Sequence, residues 1–266
     1  MKRCNLLTAI LCLMAFVALP SKATLVTEWG FDINSGFTSY DPLGSVDGSN
    51  TNTFWNAPST LTWGTSTGSG RSSLDVNGAG DGLFSGSLFT NGAAVDTVTL
   101  THTNNTITGT GLSSAVLSDH IFLTPLDPVG PGFAPPALIF DILFIETPNS
   151  GTCAATSPTP CNDIFVLDVA GAGFNPINNT LNQNFNYGGE AYNARLFIDG
   201  LGVLEDDACL AASAAIGCIG FTTVENQVNT FDVALDITTR QFNVPEPGTF
   251  LIFAIGLMSL VVARKR

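Results

Sequence analysis

Thr230-Phe231-Asp232-Val233-Ala234-Leu235-Asp236-Ile237-Thr238 decides the fold, because Phe231, Val233, Leu235 and Ile237 occupy every second position. A period of two places them on one face of an extended chain and Asp232, Ala234, Asp236 and Thr238 on the other. The segment reads as a strand with one wet face. Val95 to Thr103 repeats the pattern, with Val98, Leu100 and His102 on one side and Thr97, Thr99, Thr101 and Thr103 on the other. Such threonine ladders suit sheets. Ala137 to Thr147 is more uniformly apolar through Ile139, Ile142, Phe144 and Ile145, which predicts a strand covered on both faces. Ile164 to Val169, Ala194 to Asp199 and Ile219 to Val224 are shorter candidates. Between them Asp47-Gly48-Ser49-Asn50, Asn77-Gly78 and Pro128 to Pro136 read as turns and loops. No helical period persists over a long window. The expected fold is all-β: roughly ten short strands in one antiparallel, jelly-roll-like β-sandwich.

That sandwich spans residues 24–243, a length sufficient for one undivided core. It holds 21 of the 22 acidic residues but only three of the nine Lys and Arg, namely Arg71, Arg195 and Arg240. Nucleic-acid binding depends on clustered cations, so a nucleic-acid partner is excluded. No repeat at a fixed period points to a solenoid or propeller.

The remaining cations sit at the ends. Lys2 and Arg3 precede an apolar stretch from Leu6 to Leu19, and Ser21-Lys22-Ala23 supplies small residues where a signal peptidase reads. Residues 1–23 are thus expected to leave as a signal peptide, cut between Ala23 and Thr24. At the other end Val244-Pro245-Glu246-Pro247 stays extended, since Pro245 and Pro247 fix φ and remove two donors. The apolar run from Thr249 to Ala263 is 15 residues. As a helix it covers roughly 22 Å of a hydrocarbon core of about 30 Å, a marginal single-pass anchor. Arg264-Lys265-Arg266 keeps its end on the cytoplasmic side and the body on the opposite face.

Export agrees with the cysteines. Cys4 and Cys12 lie in the leader, and Cys153, Cys161, Cys209 and Cys218 fall into two close pairs. Of three pairings, the local one, Cys153 with Cys161 and Cys209 with Cys218, closes two short loops. Zinc is the competitor, but these spacings exceed those of a thiolate knuckle and an oxidising compartment favours disulfides. Each short loop is worth about 2 to 3 kcal/mol at best.

An export signal, a polar body, a Pro245-Glu246-Pro247 triplet, an apolar run and a basic end together resemble the bacterial PEP-CTERM proteins. Within them, Thr101-His102-Thr103-Asn104, with Thr101, His102 and Asn104 as its signature, resembles the THxN family. Leu61-Thr62-Trp63-Gly64-Thr65, Arg71-Ser72-Ser73-Leu74, Glu146-Thr147-Pro148-Asn149 and the cysteine pairs extend the likeness over most of the body. The resemblance implies an exported all-β protein that passes through a membrane-anchored intermediate. An exosortase then recognises and cuts its tail, delivering it to the surface or extracellular matrix of a Gram-negative-type bacterium. It supplies no activity and no catalytic residue.

The residues themselves offer little chemistry. His102 and His120 are the only histidines, and no Gly-x-Ser-x-Gly elbow accompanies either. Glu205-Asp206-Asp207 reads as a solvated turn rather than the two separated carboxylates of a glycosidase. No cofactor is expected. Ca²⁺ has one weak candidate in Asp75, Asn77 and Asp81, which alternate as loop ligands do, although Gly86 stands where a bidentate acid belongs. Three function classes follow: a structural protein of the surface or an exopolysaccharide-rich biofilm matrix, a carbohydrate-binding module using Trp29, Trp55, Trp63, Tyr187 and Tyr192, and, behind both, a hydrolase.

Overall fold

The computed structural model describes residues 24–76, 80–157, 161–170 and 173–239. The leader with Ala23, the tail with Pro245, Glu246 and Pro247, and Asn77-Gly78 of the expected turn lie outside them. Strand formation follows the alternating pattern but reaches further than expected, to seventeen strands among the described residues. They are β1 (Glu28–Asp41), β2 (Asp47–Asn52), β3 (Ala57–Trp63), β4 (Thr65–Ser66), β5 (Ser72–Val76), β6 (Leu83–Phe89), β7 (Val95–Asn104), β8 (Ile107–Thr108) and β9 (Ser114–Asp127). There follow β10 (Leu138–Ile145), β11 (Asp163–Ala170), β12 (Gly173–Asn175), β13 (Thr180–Tyr187), β14 (Glu190–Ile198), β15 (Gly202–Val203), β16 (Ile219–Thr223) and β17 (Gln227–Thr239). One short helix, α1 (Asp206–Ala211), precedes β16.

A seven-stranded sheet runs β15-β16-β11-β10-β9-β1-β6, and an eight-stranded sheet runs β12-β13-β14-β17-β7-β5-β3-β2. The ladders are antiparallel, and the sheets curl as a half-barrel around one core. Trp29 of β1 meets Phe185 and Tyr192 of the other sheet edge-on at 5.8 and 5.2 Å. Phe231, Leu235 and Ile237 of β17 are buried as the opening segment predicts, while Val233 is half-buried. Asp236, on the face expected to be wet, is buried too and is held by Arg195 of β14. Burying a Leu or Ile contributes about 1.5–3 kcal/mol, so this alternation is the main organiser of the fold.

Three local expectations change. Leu138, Phe140, Ile142 and Phe144 of β10 are buried, but Asp141 and Leu143 face out, so it is covered on one face. The strand covered on both faces is β11, because Ile164 and Val166 pack against Ala208 and Ala212 beside α1. Asp47-Gly48-Ser49-Asn50 is not a turn but part of the exposed edge strand β2, where pairing with β3 overrides local turn chemistry. Glu205-Asp206-Asp207 starts α1, and Asp207 Oδ2 accepts hydrogen bonds from Thr156 N at 2.7 Å and Thr156 Oγ1 at 2.9 Å. Pro128 to Pro136 is the expected loop, tied to β9 by two 2.8 Å backbone bonds between Phe133 and Leu123.

Candidate functional site

The antiparallel registers gather several strand ends at one end of the molecule. Glu146 directly follows β10, and Asp163 opens β11, whose Ile164 pairs with Ile145. Asp163 pairs in turn with Thr223, the last residue of β16, and Glu225 lies just beyond. Asn104 closes β7 opposite Gln227. Trp63 closes β3, and Gly64 then takes a left-handed φ of 72°, where a Cβ would overlap Ile107.

Carboxylate oxygens of Glu146, Asp163 and Glu225 therefore lie within 4.8 Å of one another. Asp163 is fully buried, Glu225 nearly so and Glu146 half-buried. Asp163 Oδ1 accepts from Thr147 N at 2.8 Å and Thr147 Oγ1 at 3.2 Å, but its buried Oδ2 has no partner. Glu146 Oε2 accepts from Trp63 Nε1 at 3.0 Å, while Oε1 is buried without one. Glu225 Oε1 accepts from Thr106 Oγ1 at 3.2 Å, and the Asn149 amide, turned to donate, reaches it at 2.7 Å. Asn104 also bonds Glu225, yet its own Oδ1 is buried and unpartnered.

Electrostatics make this arrangement costly in isolation. Like charges about 4 Å apart repel by roughly 4 kcal/mol at an effective dielectric of about 20. Burial and the neighbouring Glu146 push the Asp163 carboxyl up to about 8. Burial, with Glu225 adding to it, pushes Glu146 up to about 7, against the Trp63 hydrogen bond. Glu225 is raised by burial as well. The described arginines are engaged elsewhere, Arg71 with Asp47 and Arg195 with Asp236. Each of the three groups offers a carboxylate oxygen that could serve as a metal ligand.

His102 borders the same region. Its ring is fully buried, stacked on Trp63 at 5.5 Å, with Phe144 and Phe165 edge-on at 5.5 and 5.0 Å. Nδ1 bonds Thr223 Oγ1 at 2.9 Å, joining the two sheets, and Nε2 has no partner. Cross-sheet packing, not the neighbouring Asn105, supplies this partner. Burial lowers the imidazole to about 3, so the ring is neutral. Thr101 faces away, with its Oγ1 3.5 Å from Thr230 Oγ1.

The segments singled out in the sequence interlock here. Arg71 Nε donates to Gly64 O at 2.9 Å, Ser72 Oγ to Asn105 O at 3.1 Å, and Trp63 bridges His102 and Glu146. Cys153 joins Cys161 with Cα atoms 5.4 Å apart, closing the loop between Glu146 and Asp163. Cys209 joins Cys218 at 5.8 Å and fastens α1 to the approach to β16. The weak calcium candidate is placed elsewhere: Asp75 Oδ2 accepts from Ser73 Oγ at 3.0 Å, Asp81 Oδ1 accepts from Leu83 N at 3.1 Å, and Asn77 is outside the described residues. Asp163 and Glu225 escaped sequence reading because only sheet register brings them to Glu146. The nearest signals were Asp163 beside Cys161 and the Glu146-Thr147-Pro148-Asn149 segment.

An all-β body that gathers three carboxylates at one end is the class that fold and site define. Comparison with known families adds a specific finding: residues 243–266 match the PEP-CTERM protein-sorting motif. The chain thus carries the signal for exosortase processing, which entails export, a membrane-anchored stage and delivery to the surface or beyond. No curated protein matches it. Among the described residues no helix is long and apolar enough to cross a membrane, and the run from Thr249 to Ala263 lies outside them.

Proposed function

We propose that the exported body is a non-catalytic structural component of the surface, or of an exopolysaccharide-rich biofilm matrix, of a bacterium with a Gram-negative-type envelope. The observation that carries this reading is the enclosure of His102 by Trp63, Phe144 and Phe165. The residue best suited to acid–base work is thereby a neutral core member out of a substrate's reach. The interlocking of the Trp63, Arg71, His102 and Glu146 segments supports a THxN-type body. Deletion followed by imaging of the cell surface and matrix tests the proposal. Thinning or detachment of the matrix is expected, and an unchanged envelope and matrix would contradict it.

One observation favours carbohydrate binding as a second reading. Trp29, Trp63 and Tyr192 are core residues, and the Tyr187 hydroxyl is tied to Pro131 O at 2.8 Å. Phe54, however, is 51% exposed, with Trp55 edge-on at 5.1 Å and His120 at 4.3 Å. Exposed aromatic faces of this kind stack on apolar faces of ligands. Glycan-array binding that falls at least tenfold in Phe54→Ala would support this role, and no binding by the parent would exclude it.

A further inference from the structure

We propose that Glu146, Asp163 and Glu225 bind one calcium ion between their carboxylates, with the amide oxygen of Asn104 adding to the shell. The carboxylates alone would be an acidic cluster. What points to a ligand is Asn104, whose fully buried Oδ1 has no donor although its amide touches Glu225. Together with Asp163 Oδ2 and Glu146 Oε1 it makes three buried acceptor oxygens with nothing to accept from. Neither described arginine reaches them.

The donor set chooses the metal. Every candidate donor is an oxygen, the described cysteines are bonded in pairs, and His102 is committed to Thr223 and Trp63, which disfavours zinc. Calcium takes six to eight oxygens at about 2.3–2.6 Å, so opposed ligands stand about 5 Å apart, a span that accommodates carboxylates within 4.8 Å of one another. Magnesium demands a tighter octahedron and keeps its waters. The ion would tie the ends of β10, β11, β16 and β7 together, beside the loop that Cys153 and Cys161 close. This position makes it a strut across both sheets.

The exported protein, purified from cells and stripped with EDTA, provides the test. With Ca²⁺ half-saturating at about 0.1–1 mM, as in extracellular modules, a hundredfold excess should raise Tm by about 5–10 °C. Equimolar Mg²⁺ should give a smaller rise. Tb³⁺ should luminesce on tryptophan excitation, because Trp63 Nε1 is 3.0 Å from Glu146 Oε2, and Ca²⁺ should quench that signal. Asp163→Asn with Glu225→Gln should abolish both responses while folding at least as stably as the parent in EDTA, since repulsion is removed. Asp75→Asn should leave both intact. A parent with equal Tm in EDTA and Ca²⁺, an equal effect of Mg²⁺, or a Ca²⁺ response retained by the double variant would overturn the proposal.

Discussion

His102 shows how one residue can suggest an activity that its surroundings do not support. Replacing it with Ala empties an aromatic-lined space and leaves Thr223 Oγ1 without its partner. Such changes cost about 2 to 4 kcal/mol, which denaturant unfolding would measure as a lower midpoint. Its pH behaviour has a definite sign. The folded value of about 3 lies below the ordinary 6.5, so the folded state binds fewer protons between them. Stability should be full above about 6.5 and be lost as pH falls toward 3, and His102→Phe should flatten that acid limb. Asp163 and Glu146 act oppositely without metal. Their folded values are raised, so their contribution is full below about 4 and lost as pH rises through about 7 to 8. Denaturant midpoints across pH 3–9, in EDTA and in Ca²⁺, would separate the two limbs.

Among elements, what could be read beforehand depended on whether information was local. The alternation of Phe231, Val233, Leu235 and Ile237 marks β17 because each residue's neighbours reveal its face. β1 and β9 were harder to see, although each spans 14 residues. Gly, Asn and Ser interrupt β1, and a register shift between Phe37 and Ser39 breaks its period. The carboxylate site was hidden for a related reason: its members belong to separate strand ends that only long-range pairing brings together. The cysteine pairs were local and legible. Thiol labelling of denatured, unreduced protein should find no free thiol, and peptide mapping should recover Cys153–Cys161 and Cys209–Cys218. A peptide joining Cys153 to Cys209 or Cys218 would contradict this pairing. Cys153→Ser with Cys161→Ser should cost about 2 to 3 kcal/mol by denaturant unfolding, freeing the loop that separates Glu146 from Asp163.

For the whole molecule, the body and its tail carry different kinds of information. The body is a curled antiparallel structure with an enclosed histidine and interlocked segments. The match at residues 243–266 governs where that structure is delivered. Glu246→Ala should leave export intact and block removal of the anchor, so that Phe250-containing peptides persist in the surface fraction of the variant and are absent from the parent. Their equal absence from both would refute a role for Glu246. The claim on which everything else rests is that a disulfide-closed body is released from its terminal signals. Intact mass spectrometry of the surface protein, before and after reduction, tests it most directly. The expected chain begins at Thr24, lacks Thr249 to Arg266, and gains four protons on reduction. A mass that retains the C-terminal run, or that is unchanged by reduction, would contradict it.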